Sequence, residues 1–235
     1  MHKKGKLYLI PTPLGENNTP VIPEYVSQII HQLSIFIVEK AKTARRYIKA
    51  TGHPKAISTL TFSELNKRID YSEWSQYLQP IEMGHDIGLL SEAGCPGVAD
   101  PGAEIVHLAH QKNIEVIPLV GPSSILLALM ASGMNGQSFT FHGYLSPKRE
   151  LVGKDLKKLE QTAQKFKQTQ LFIETPYRNN QLVEQALKVL NPKTRFCIAM
   201  DLTLPNQYII TKTIAQWQKT KLPNLHKRPA VFLLL

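Results

Sequence analysis

Cysteine is nearly missing from this chain: Cys95 and Cys197 are the only two in 235 residues. They form no C-x-x-C pair, so neither a disulfide framework nor a zinc site is supported, and no metal is expected. Long apolar runs are missing too. None approaches the roughly 18 residues of a membrane span. The basic start leads into only Leu7-Tyr8-Leu9-Ile10 before Pro11, too short an apolar stretch for a secretory signal. A cytoplasmic protein with no membrane partner is therefore expected. Acidic residues are in deficit, 18 against 28 Lys and Arg, for a net charge of +10. That excess points to a polyanion, most commonly nucleic acid, although a basic surface can also serve solubility alone. Neither a phosphate loop ending in GKS or GKT nor a G-x-G-x-x-G fingerprint occurs. Repeats and low-complexity tracts are also absent.

What is present gathers around Gly84–Gly102, GHDIGLLSEAGCPGVADPG. Ile87-Gly88-Leu89-Leu90 has the length of a buried strand. Two small-residue turns follow, and then a helical pattern with Ile105, Val106, Leu108 and Ala109 apolar. Asp100 is placed to cap that helix and Pro101 to open it. A glycine-rich loop leaving a strand lets a ligand approach the backbone, at the end of an open sheet where ligands bind. Two tight turns would need the same residues.

The rest of the chain alternates. Leu7–Ile10 reads as a strand stopped by Pro11-Thr12-Pro13-Leu14-Gly15. Val21–Leu33 carries a helical stripe and Ile35–Val38 is a strand, so the chain opens as a βαβ unit with a parallel sheet. The next helix brings Lys42, Arg45, Arg46 and Lys49 within an arc of about 100°. That face can meet phosphates without specifying sequence, or it is simply solvated. Ala56–Leu60 reads as a strand and Ser63–Leu78 as a helix, with Leu65, Ile69, Trp74 and Leu78 inward. Val116–Val120 is a strand ending in Gly121-Pro122-Ser123-Ser124, where a serine caps a very apolar helix and offers backbone N–H groups to an anion. A domain boundary is expected here, giving domains 1–120 and 121–235. In the second domain, strands are expected at Phe139–His142, Gln170–Ile173, Arg195–Met200, Gln207–Thr211 and Arg228–Leu235. Helices are expected at Leu151–Gln168, with Phe166 inward and lysines outward, then up to about Leu190, and at Ile214–Thr220.

Taken together, LYLIPTPLG, LLSEAGCPGVADPG, EVIPLVGPSS, GYLSPK, FIETPYR and the terminal PAVFLLL resemble the tetrapyrrole methylase superfamily of S-adenosylmethionine-dependent methyltransferases. The likeness covers essentially the whole chain and is strongest to a branch that methylates a ribose 2′-hydroxyl in 16S rRNA. It implies an α/β fold of two α/β domains with the cofactor in the cleft between them, a homodimer, and rRNA or the small ribosomal subunit as partner. Matched by position, cofactor contacts fall on Pro11, Pro13, Leu14 and Gly15, on Ser91, Ala93, Gly94 and Val98, and on Pro122, Ser123 and Ser124. In the second domain they fall on Tyr144, Leu145, Thr175, Met200, Pro229 and Ala230.

The chain also departs from that branch. Glu39-Lys40-Ala41-Lys42 replaces an E-D-T-R segment, and Glu16-Asn17-Asn18 stands in a G-N-L-G-D segment. Phe62–Lys67 replaces H-x-H-N-E with only Asn66 kept, and Glu92 replaces an Asp. These changes concern the substrate more than the cofactor. A hydroxyl nucleophile gains from a general base, and Glu92 and Glu174 are the candidates. Glu92 can equally stabilise its loop, and Glu174 can pair with Arg178 at i+4. Besides an RNA methyltransferase, two readings stand: a methylase of the same fold acting on a tetrapyrrole-like small molecule or protein side chain, and a non-catalytic nucleic-acid-binding relative.

Overall fold

Most strands grow from short apolar runs, and the helical stripes between them close onto the sheets. The computed structural model describes residues 4–15, 19–65, 71–100 and 102–235. It divides into two units, Met1–Ser123 and Ser124–Leu235. The first unit contains β1 (Lys6–Ile10), β2 (Ile35–Val38), β3 (Thr61–Glu64), β4 (Ile87–Leu90) and β5 (Glu115–Pro118). Their order is β3-β2-β4-β1-β5, and every pairing is parallel.

A parallel sheet needs cover on both faces. Alternation of side chains along the strands supplies two apolar surfaces. On one, Ile10, Phe36, Val38 and Leu90 pack with Val26 and Ile30 of α1 (Glu24–Gln32) and with Ala44 and Ile48 of α2 (Ala41–Ala50). On the other, Leu7, Ile37, Ile87 and Leu89 pack with Leu78, just after α3 (Tyr71–Tyr77), with Ile81 of the short α4 (Gln79–Glu82), and with Ile105 and Leu108 of α5 (Gly102–Gln111). Side chains such as Ile30 and Ile37, with 0% exposure, each contribute about 1.5–3 kcal/mol of burial.

In this unit the structure corrects two sequence expectations. No strand spans Ala56–Leu60. A 3-10 turn lies at Ile57–Thr59, and the strand is Thr61–Glu64. Only Leu60 of the expected segment is buried, so it had no apolar face to lay on a sheet. Ser63–Leu78 is not one helix: Ser63 and Glu64 end β3, and α3 runs only over Tyr71–Tyr77. Leu65 and Leu78 are buried as expected, while Trp74 is partly buried against the same cluster. Ile69, Asn66, Lys67, Glu16, Asn17, Asn18 and Pro101 lie outside the described residues.

The second unit begins with α6 (Ser124–Ser132) and holds β6 (Phe139–Tyr144), β7 (Thr169–Ile173), β8 (Arg195–Met200), β9 (Tyr208–Thr213) and β10 (Ala230–Leu234). Its order is β6-β7-β10-β8-β9. Strands β6 and β7 are parallel, whereas β10 runs antiparallel between β7 and β8, and β9 antiparallel to β8. Helices α7 (Arg149–Phe166) and α8 (Asn179–Val189) set Leu156, Leu159, Leu182 and Val183 onto Phe172, Phe196 and Phe232. Trp217 completes this core, its indole donating to the Phe196 carbonyl at 2.8 Å. Phe166 is not inward: it is 59% exposed, because α7 ends there and Lys167 turns left-handed at φ 50°. Two α/β units result, as the family resemblance implied. Among the described residues no helix is long and apolar enough to cross a membrane.

Candidate functional site

Strands β4, β1 and β5 are neighbours and parallel. The loops that follow them therefore leave the same end of the sheet, where open α/β sheets take ligands. Thr12 and Gly94 join the first two loops in a small antiparallel bridge. The Thr12 N–H donates to the Gly94 carbonyl at 2.9 Å, and the Gly94 N–H donates back at 3.0 Å. The Ser91 hydroxyl also donates to the Gly94 carbonyl, at 3.1 Å. Gly94 has φ +84°, and a Cβ there would stand 3.3 Å from Leu14 Cδ2 and 3.5 Å from the Pro122 carbonyl oxygen. Gly94 is thus the meeting point of all three loops. Gly121 lets the third loop lie on the first, since a Cβ there would fall 2.2 Å from Pro11 Cβ. Tyr47 of α2 donates its hydroxyl to the Pro11 carbonyl at 3.2 Å. Burial pushes that phenol far above its ordinary range, so it stays a donor at any working pH.

The sequence-derived positions in this unit divide clearly. Pro11, Ser91, Gly94 and Pro122 are buried, Pro13, Leu14, Gly15 and Ser123 are half-buried, and Ala93 and Val98 are exposed. Of these, the structure brings Leu14, Gly94 and Pro122 together and lays Pro11 against Gly121. Asp100 does cap: its Oδ1 accepts from the Gly97 and Gly102 N–H groups at 3.1 and 2.9 Å.

Glu92 is held in a network. Its carboxylate accepts from Lys40 Nζ and, at 2.8 Å, from the Thr43 hydroxyl. Burial alone would raise its pKa, but the hydrogen bonds from Lys40 and Thr43 outweigh it and hold the carboxyl low. A carboxylate so engaged is a weak base. Glu39 lies beside it, accepting from the Glu92 N–H at 3.3 Å. Burial pushes the Glu39 carboxyl up, and the charges of Asp100 and Glu92 add to this against the hydrogen bond from the Glu92 amide. A raised, half-buried carboxyl is the better match to a general base. Glu174 is 6% exposed and pairs with Arg178 at 2.9 Å, so it serves its loop rather than standing free as a base.

In the second unit the matched positions also share one end of a sheet. Tyr144 pairs in register with Ile173, which precedes Glu174-Thr175, and Met200 pairs with Ala230. Leu145, Met200 and Ala230 are buried, Ser124 and Thr175 are half-buried, and Tyr144 and Pro229 are exposed.

Helix α2 turns Ala41, Ala44 and Ile48 inward and leaves Lys42, Arg45, Arg46 and Lys49 exposed. The Arg45 guanidinium lies over the Phe62 ring, 5.1 Å from its centroid. The Lys40–Glu92 pair ties the start of α2 to the loop that carries Gly94.

The profile of the Tetrapyrrole (Corrin/Porphyrin) Methylases matches residues 6–218. The chain belongs to this family. Ribosomal RNA small subunit methyltransferase I of Vibrio cholerae is 31% identical over 197 residues, which is 84% of this chain and 65% of that protein. The chain thus spans just under two thirds of that relative's length. The protein of the same name from Bacillus subtilis is 30% identical over 214 residues, 90% of this chain and 68% of its own. The crystal structure of the methyltransferase CobJ superposes with a TM-score of 0.62 at 16% identity, covering 98% of this chain and 93% of that one. That is a likeness of fold.

In this family member, Thr12, Glu39, Lys40, Thr43 and Tyr47 belong to the site's framework; the sequence marked none of them as a site residue, Glu39 and Lys40 entering only through the departure from the E-D-T-R segment. Thr12 also carried a signal, sitting between two prolines that fix the loop.

Proposed function

We propose that this family member transfers a methyl group from S-adenosylmethionine to a ribose 2′-hydroxyl of small-subunit ribosomal RNA. The observation that carries the reading is the closure of the loops after β1, β4 and β5 around Gly94. The wall they build is made of backbone and small side chains, with φ +84° at Gly94 and no room for a Cβ at Gly121. Such a surface fits a ligand that must lie close to the backbone. Pro11, Leu14, Ser91, Gly94 and Pro122 would hold the donor. When bound, the donor supplies an electrophilic methyl on a sulfonium. The chain's own work is positioning, which in favourable cases lowers a barrier by about 7–11 kcal/mol. Glu39 would take the hydroxyl proton, its raised carboxyl being nearer in pKa to that task than the held Glu92.

Two observations favour RNA over a tetrapyrrole-like small molecule. The net charge is +10, and the cationic face of α2 begins beside the Gly94 loop, joined to it by Lys40 and Glu92. Both relatives above carry rRNA methyltransferase names. We place the protein in the cytoplasm as a homodimer, with Met130 and Phe139, 78% and 38% exposed, as apolar side chains for a partner copy to cover. The test is to incubate the purified chain with S-adenosylmethionine and unmodified small ribosomal subunits, then measure rRNA nucleosides by mass spectrometry. A new 2′-O-methylnucleoside is expected. Methylation of protein or porphyrinoid instead would select the other reading.

A further inference from the structure

We propose that Tyr177, with His226 and Lys227, forms a stacking platform for an unpaired nucleobase of RNA; this rests on the RNA reading above. Tyr177 follows β7 and precedes α8. It is 66% exposed and absent from the unit's apolar core, so packing does not account for it. Lys227 Nζ lies 5.9 Å from the ring centroid, and the His226 ring meets it edge-on at 5.8 Å and 76°. His226 and Lys227 are themselves exposed.

Exposed side chains are usually carried on loosely held backbone. Here the backbone is pinned. The Lys227 N–H donates to the Pro176 carbonyl at 2.9 Å. Asn179 Nδ2 donates to the Arg228 carbonyl at 2.7 Å, and the Leu225 N–H donates to Asn180 Oδ1 at 2.9 Å. Lys227 adopts φ +60°, a left-handed conformation costing a non-glycine residue about 1–2 kcal/mol. Strain held in place around an exposed aromatic ring motivates a binding role. The chemistry selects the ligand. A flat ring stacks on any base, and an adjacent cation serves the neighbouring phosphate, the combination used to hold single strands. On a chain of net charge +10, and on the RNA reading above, that ligand is RNA.

The experiment titrates the full chain into a short single-stranded RNA carrying 2-aminopurine and reads anisotropy and quenching. Tyr177→Ala should weaken binding about ten-fold and abolish the quenching. Tyr177→Phe should match wild type. Neither should change the slope of log affinity against log salt, whereas Lys227→Ala should flatten it by about 0.7. Calorimetry with S-adenosylmethionine checks that each variant is folded. If wild type binds RNA and Tyr177→Ala binds equally well, the platform is wrong and the RNA reading stands; the ring then serves a protein contact. Equal losses in Tyr177→Ala and Tyr177→Phe would assign the effect to the hydroxyl and also overturn stacking. If wild type binds no RNA, both readings fall.

Discussion

In the first unit, the loops after β1 and β4 are joined by backbone groups, Thr12 to Gly94 in both directions. In the second, main-chain bonds also join the loops at the matching sheet end, the Asp201 N–H to the Pro229 carbonyl at 3.0 Å and the Lys227 N–H to the Pro176 carbonyl at 2.9 Å, and charge is added to them. Glu174, its side chain 3% exposed, pairs with Arg178 within the loop after β7, and Asp201 after β8 pairs with Arg228 before β10 at 2.5 Å. The two constructions have different weaknesses. A backbone-built wall is sensitive to side-chain size and to φ, and it places no formal charge at the bridge. A wall that also leans on buried ion pairs is weakened most when one charge is removed. The parallel sheet presents three adjacent loops from one end, so main-chain groups can meet directly. The mixed sheet interleaves strand starts and strand ends, and ion pairs supplement the main-chain bonds between its loops.

Removing one charge should break the second construction most severely. Arg178→Met leaves the Glu174 carboxylate buried without its partner. A loss of about 3 kcal/mol in urea unfolding is expected, the low end for a broken buried pair because Arg178 is 31% exposed. Glu174→Gln combined with Arg178→Met should recover most of it; no recovery would mean the pair is not the source of stability there.

The first construction should break through size. Gly94→Val adds a branched side chain at φ +84°, against Leu14 and Pro122. A stability cost of about 1–2 kcal/mol is expected from the backbone alone, together with loss of detectable S-adenosylmethionine binding by calorimetry. A folded variant with wild-type affinity would remove this loop from the donor site. The smallest effect sharpens the comparison rather than breaking it. Arg45→Ala with Arg46→Ala touches neither wall. It should leave donor affinity unchanged while lowering RNA affinity and flattening the salt slope by about 0.7 for each phosphate no longer neutralised. An unchanged slope would make the α2 face merely solvated.

Local signals carried much of this architecture. Strands β2 and β8 stand where the apolar runs Ile35–Val38 and Arg195–Met200 put them. The three loops of the first unit were legible because proline and glycine mark them whatever the tertiary context. Strand β3, TFSE, has no buried residue; as an edge strand it shows neither an apolar run nor a deep face, and its position was misread. The site's framework was illegible for another reason. Thr12 meets Gly94, Lys40 meets Glu92 and Tyr177 meets Lys227, each pair separated by about fifty residues or more. No local pattern encodes such pairs, so the sequence left Glu92 open between a base and a loop stabiliser, and Lys40 and Thr43 settle it toward the latter.

The position of β1 between β4 and β5 sets a timetable for synthesis. Lys6 bonds to Asp86, 80 residues further on, and to Glu115, 109 further on. At about 5–20 residues per second, the ribosome delivers the first neighbour of β1 some 4–16 s after β1 itself. Through that interval Leu7, Leu9 and Ile10 belong to a strand with both edges open, the state most prone to wrong pairing. The end of the sheet where the loops meet is therefore among the last parts of the first unit to form, and a delay or error at β4 would cost the site before it cost the helices.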